Sequence, residues 1–166
     1  MRLVRHRHDS VVRVRVHGRR PGKAQATVGQ RIAGIRREMA ERGLRFAAEE
    51  SCRDWELRHG YDATRALLEH RGDLRALLCM NDRLAFGAYQ ALADRGLSVP
   101  RNISVVSFDN DELASYLRPG LTTVALPHEA MGRTSVELLL DRGRRPDCHL
   151  IPMPVVGRGS VRPPAG

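Results

Sequence analysis

Residues 76–110, ALLCMNDRLAFGAYQALADRGLSVPRNISVVSFDN, hold a strand-like run, a helix-like run and a second strand in one unbroken stretch. Ala76 to Met80 is apolar throughout, as a buried strand is. Asn81 and Asp82 follow and suit a helix N-cap, whose side chain accepts from a free backbone N–H. Leu84, Ala88, Ala91 and Leu92 then recur at helical spacing on one face. Gly96 stands where that helix stops, and Pro100 rules out its continuation. Ile103 to Phe108, ISVVSF, is β-branched and apolar on both faces, which places it inside a parallel sheet covered on both sides.

The same alternation extends in both directions. Upstream, Val11 to His17 alternates valine with arginine as a strand, and Gly18 to Ala26 reads as a loop. Residues 28–42 form a helix with Ile32, Ile35 and Met39 on one face, closed by Gly43. Leu44 to Ala48 is a short strand, and Glu56 to His70 a helix turning Ala63, Leu67 and Leu68 inward before Gly72. Downstream come a turn or short helix at Asp111 to Leu117 and a strand from Leu121 to Leu126. A helix from His128 to Asp141 should bury Met131, Ser135, Leu138 and Leu139, and His149 to Val156 is a last strand. Strands separated by helices of this length predict an α/β fold, a doubly wound, mostly parallel sheet with helices on both faces.

Length and composition fit one such domain. The chain has 166 residues, of which 42% are apolar and 4% aromatic. The net charge of +9 is uneven: residues 1–20 carry seven arginines against Asp9, leaving +3 for the rest. The expected organisation is a basic arm over 1–20 that includes the first strand, a single α/β domain over 11–157, and a flexible tail over 158–166. The skew to arginine, with Lys23 the sole lysine, suits a GC-rich genome as well as phosphate contacts. The arm from Arg2 to Arg20 still offers an alternative function, salt-sensitive nucleic-acid binding. Cys52, Cys79 and Cys148 are far apart and read as free thiols. No secretory signal or membrane-length apolar run is present, so a cytoplasmic location is expected.

Catalytic and metal motifs are missing. Gly18 to Ala24 lacks both the spacing and the hydroxyl of a phosphate loop. There is no GxGxxG, GxSxG or HExxH, and the histidines are scattered. Asp109 ends a strand as a phospho-acceptor does, but the acidic pair a receiver domain needs is replaced by His17, Gly18, Arg19 and Arg20. No enzyme, no metal and no cofactor are expected.

In a doubly wound sheet, ligands sit beyond the carboxyl ends of the strands. That rule selects Gly18 to Thr27, Ser51 to Trp55, Asn81, Asp82, and Asp109 to Asp111. Within this set and just beyond it, Arg31, Asn81, Asp109 and Trp55 suit a hydroxyl-rich ligand: a donor fork, an amide, a carboxylate acceptor and an indole face. Each also has a plain structural use. Asn81 suits an N-cap, Trp55 a core position, and Arg31 a surface charge at a helix start.

Four pieces, NDRLAFGA, RGLSVPRNISVVSFD, LRPGLTTV and MGRTSVELLL, together resemble the LacI/GalR transcriptional regulators, and RIAGIRREMAERGL and GYDATRALLE extend the likeness over about residues 27–160. The resemblance implies the C-terminal lobe of a periplasmic-binding-protein-like fold, with a small effector, commonly a sugar, held between two lobes. It puts effector contacts on Thr27, Arg31, Trp55, Asn81 and Asp109, with His128 near a further pocket position. Leu126 stands where some members are polar. The helix Arg83 to Arg95 and the turn Leu113 to Leu117 resemble subunit-interface segments, which implies a homodimer through Leu84, Ala88, Leu92 and Tyr116. The helix-turn-helix of such regulators has no counterpart here, nor does most of the other lobe, and residues 1–8 do not resemble the family. The sequence therefore reads as truncated, reaching operator DNA only through a head it does not contain. Two further expectations follow: weak binding by half a cleft, and a helix from His128 to Asp141 short of packing partners.

Overall fold

The computed structural model describes residues 11–16, 23–52, 54–70, 72–141, 143 and 148–162. The run ISVVSF supplies β4 (Ser104–Asp109), which lies between β3 (Ala76–Cys79) and β5 (Thr122–Ala125) in a six-stranded sheet. The order is β2-β1-β3-β4-β5-β6, with β1 (Val11–Val16) and β2 (Phe46–Cys52) on one side and β6 (Val155–Val156) at the far edge. The first five strands are parallel and β6 is antiparallel. The expected fold class is the one observed.

Helices α1 (Lys23–Glu41), α2 (Leu57–His70), α3 (Asp82–Asp94), α4 (Leu113–Tyr116) and α5 (His128–Leu140) connect the strands. The chain steps outward from β1 to β2, then back across β1 to β3 and on to β4. Right-handed crossovers put α1 on the face opposite α2 and α3. The reversal at β1 and β3 opens a crevice at their carboxyl ends. Beneath it, α2 and α3 cross closely: a Cβ on Gly60 would overlap the Leu84 carbonyl oxygen, and one on Gly87 the Leu57 carbonyl oxygen.

Several boundaries differ from expectation. The loop predicted over 18–26 gives way to helix from Lys23, because lysine, alanine and glutamine are strong helix formers. Residues 17–22 lie outside the described set. β2 is displaced to Phe46–Cys52, so Ser51 is in a strand rather than a loop. Its polar Glu49 and Glu50 are tolerated because only β1 pairs with this edge strand. The strand predicted over 149–156 shrinks to two residues, since Pro152 and Pro154 lack amide donors.

Two packing expectations are corrected. Leu84, Ala88 and Leu92 are at most 1% exposed and form the centre of the core with Leu77, Val105 and Leu121. They are therefore not interface residues; the helical period is right, but that face meets the chain's own sheet. Conversely α5 has no buried residue, and Met131, Ser135 and Leu139 are exposed rather than inward. Leu138 is half-buried.

Residues 158–162 are not a flexible tail. Ser160 is fully buried, donating to the Val105 carbonyl at 2.6 Å and accepting the Thr122 amide at 2.8 Å. One hydroxyl thus satisfies backbone groups of two strands, and buried backbone groups require such partners. Residues 163–166 lie outside the described set.

Candidate functional site

At the end of β3, Asn81 takes an extended backbone and caps α3: its Oδ1 accepts the Leu84 amide at 2.9 Å. The amide group also donates, from Nδ2 to the Trp55 carbonyl at 3.2 Å. The capping role is therefore real, and the same side chain ties the β2–α2 loop to the crevice. Asn81 is 4% exposed, whereas Trp55 is half-buried against the core.

Arg31 approaches from α1. Its Nη1 donates to the Met80 carbonyl at 2.7 Å, and its guanidinium carbon lies 4.2 Å from the centre of the Phe108 ring. Burial lowers its pKa and the nearby Asp109 charge opposes that change. Thr27 lies one helical turn earlier on the same helix; its side chain is outside the described set. Arg31 is thus neither a surface charge nor a purely local cap but a cation held at the strand ends.

Asp109 ends β4. Its carboxyl is pushed up to about 6, foremost by burial, against the attraction of Arg31; Asp82 and Asp111 push it further up and His128 pulls it down. The same interactions place His128, the exposed first residue of α5, within electrostatic reach of the site. Asp109 and Asn110 have positive φ angles of 113° and 60°, conformations L side chains rarely adopt. Next to them, Leu126 donates its amide to the Asp109 carbonyl at 3.2 Å.

The structure brings Arg31, Asn81, Trp55, Asp109 and His128 to one rim and puts the backbone of Thr27 one turn from Arg31. Such a rim presents a planar donor, a carboxylate acceptor and an aromatic surface to one small molecule. Sequence reasoning missed Phe108 as the platform under Arg31. It also read Asp82 as a helix start and a strand-end candidate for the ligand, whereas Asp82 is buried and bonded to three different segments. Nothing local marks that role, because its partners Ser107 and Thr123 come from two other strands. Among the described residues, no group of three or more histidine, cysteine or acidic side chains could hold a metal ion, and no helix is long and apolar enough to cross a membrane.

Residues 2–161 match the family model described as periplasmic binding protein-like domain. The chain belongs to that family. This periplasmic binding protein-like domain is 38% identical over 117 residues to the ribose operon repressor of Escherichia coli strain K12, covering 70% of this chain and 36% of that protein. It is 40% identical over 126 residues to the HTH-type transcriptional repressor PurR of Vibrio campbellii, again covering 71% and 36%. The domain thus spans about a third of the length of these curated relatives. Among solved structures, a Lac repressor dimer bound to operator and the anti-inducer ONPF superposes with a TM-score of 0.79 at 28% identity, over 93% of this chain and 53% of that one. The likeness to LacI/GalR regulators is therefore borne out, and the domain is of their effector-binding type. Nucleic-acid binding by the basic arm gains no support. Arg13 and Arg15 belong to β1, an interior strand, and the remaining arm lies outside the described residues.

Proposed function

We propose that this domain binds a small hydroxyl-rich effector, a sugar or a related metabolite, at the carboxyl ends of β3 and β4. The observation that carries this reading is the convergence of Arg31, Asn81 and Asp109, from α1, the β3–α3 junction and β4, beside Trp55. The Asp109 carboxylate accepts from ligand hydroxyls, the free donors of Arg31 point a fork at the same atoms, and Trp55 covers the apolar face of a ring. Asn81 keeps one amide hydrogen and one lone pair beyond its two internal bonds. The family resemblance assigns Thr27, on the turn of α1 before Arg31, and His128 to the same site. The ribose operon repressor's name makes D-ribose the first ligand to test, with a purine base as the comparison. Titration calorimetry on the 166-residue chain tests the reading, with saturable heat for one ligand class as the expected result.

In the regulator this domain represents, effector occupancy shifts a conformational equilibrium that alters operator affinity, and the DNA contacts fall to a separate head. The role is binding, not catalysis, and the setting is the cytoplasm. The domain pairs with a second copy through α4 and the end of α3. Tyr116 and Leu113 there are 65% and 56% exposed, an apolar surface for a second copy to cover. A groove of about 560 Å³ lies beside them, lined by Tyr89, Leu97, Val99, Leu117 and Pro119. The Tyr89 hydroxyl donates to the Pro119 carbonyl at 3.1 Å and holds its two sides together.

A further inference from the structure

Directly behind Asp109 lies a carboxylate that ligand binding does not use. Asp82, the first residue of α3, is fully buried. Its Oδ1 accepts from the Ser107 hydroxyl of β4 and, at 2.7 Å, from the Thr123 hydroxyl of β5. Its Oδ2 accepts the Asp111 amide at 2.7 Å. Thr123 Oγ1 in turn accepts the Asn110 amide at 3.3 Å. The two amides that follow Asp109 are therefore both held by one side chain of α3, the second directly and the first through Thr123.

These are the amides of a turn that is unfavourable by itself. Asp109 and Asn110 both have positive φ, and such residues persist only where their surroundings over-determine them. The geometry points to Asp82 as the positioning residue of the effector site: it locks the turn from Asp109 to Asp111 and so fixes where the Asp109 carboxylate is aimed. The inference rests on the reading that Asp109 meets the effector. Asp82 also directly follows Asn81, so the start of α3 supplies one ligand-facing group and anchors another.

Aspartate is required by the donor count. Three N–H and O–H groups converge on it, and an ionised carboxylate accepts all of them. Asparagine has nearly the same shape, but whichever way it turns, its NH₂ faces one of these donors. The hydroxyls of Ser107 and Thr123 can rotate to adapt, whereas the Asp111 amide cannot. Asp82→Asn therefore leaves at best a neutral amide oxygen on the Asp111 amide, with its NH₂ turned to the two hydroxyls, and weakens the link to the turn while leaving the core volume nearly unchanged.

The test uses the full chain, labelled with nitrogen-15, in two measurements. In Asp82→Asn, hydrogen exchange at the Asp111 amide should accelerate by about tenfold, since a carboxylate acceptor is replaced by a weaker neutral one. D-ribose affinity is then measured in wild type, Asp82→Asn, Asp109→Asn and the double variant. Asp82→Asn should lose affinity about tenfold alone and nothing further once Asp109 is replaced, because groups acting through one another are not additive. Unchanged exchange at Asp111, or additive losses of affinity, overturns the inference. A wild type that binds no ligand overturns the effector reading instead, and the exchange result still decides whether Asp82 holds the turn. If Asp82→Asn does not fold, Thr123→Val takes its place: faster exchange at the Asn110 amide supports the lock, and unchanged exchange contradicts it.

Discussion

Arg31 Nη1 donates to the Met80 carbonyl at 2.7 Å, which fastens a side chain of α1 to the end of β3 on the opposite side of the crevice from α3. The carbonyl it takes belongs to the residue before Asn81, so the two groups share one backbone junction. Phe108, the residue before Asp109, supplies the ring beneath the guanidinium. Arg31 is thus positioned by the residues next to Asn81 and Asp109, not by those two side chains themselves.

Lysine cannot replace it. An ammonium lacks the planar fork that both stacks and donates in two directions. Arg31→Lys should lower effector affinity by about tenfold or more, while the lost backbone bond and ring contact cost about 1–2 kcal/mol of stability. Calorimetric titration and thermal unfolding of the same variant separate the two effects. Undiminished affinity in the lysine variant would contradict the assignment of Arg31.

Asp109 should couple both stability and binding to pH. Burial raises its carboxyl from 3.8 to about 6 in the folded chain. The native state therefore holds this proton more tightly than the unfolded state does. Its ionisation costs stability progressively between those two values, the full cost applies above about 6, and none remains below 3.8. Asp109→Asn should consequently be stabilising at pH 7.5 and close to neutral at pH 3.5, as read from thermal unfolding at each pH. Effector affinity should move the other way, falling as pH drops below about 6, because a protonated carboxyl accepts fewer hydroxyl hydrogen bonds.

The crossing of α2 and α3 has no room for a methyl group. A Cβ on Gly60 or Gly87 would meet the backbone of the facing helix, which has no flexible side chain to yield. Gly60→Ala and Gly87→Ala should each destabilise by about 1–3 kcal/mol or more. They should also weaken ligand binding, because the displaced α2 carries the Trp55 loop away from Asn81. Gly43→Ala, where open space surrounds the Cβ but φ is 68°, should reduce stability without altering affinity.

Leu84 and Tyr116 should behave oppositely. Leu84→Ala removes a fully buried side chain and should cost about 2–5 kcal/mol without changing the oligomeric state of the folded fraction. Tyr116→Glu, at an exposed position, should leave unfolding nearly unchanged and shift the chain towards monomer in sedimentation velocity. A monomeric wild type would remove the pairing surface from the account.

Where a signal is local, the sequence was legible. Asn81, Gly96 and Pro100 bracket α3, and ISVVSF marks β4, within a residue of what is observed. The sheet edges were not legible: β2 carries glutamates that an interior strand would exclude, and Pro152 and Pro154 break an apolar run that otherwise reads as strand. Leu84, Ala88 and Leu92 show a further limit, since helical spacing identifies a buried face but not what buries it. Ser160 and Asp82 show the same limit for polar groups. Ser160 lies in a stretch that reads as tail, and Asp82 reads as a helix start. Their roles come from strands far away in sequence, which only the register brings together. Of the rim, Asn81 and Asp109 were legible because they sit where strands end, whereas Arg31 lies well inside α1 and was selected by its chemistry alone, its side chain reaching the end of β3 at the Met80 carbonyl.

The central claim is that this rim binds a hydroxyl-rich small molecule. Titration calorimetry at pH 7.5 with D-ribose, other monosaccharides and a purine base, run in parallel on wild type and Asp109→Asn, tests it most directly. The account predicts saturable binding of one ligand class by wild type and affinity weakened about tenfold or more in the variant. Absence of saturable heat with every ligand, or equal affinity in the two proteins, would contradict it.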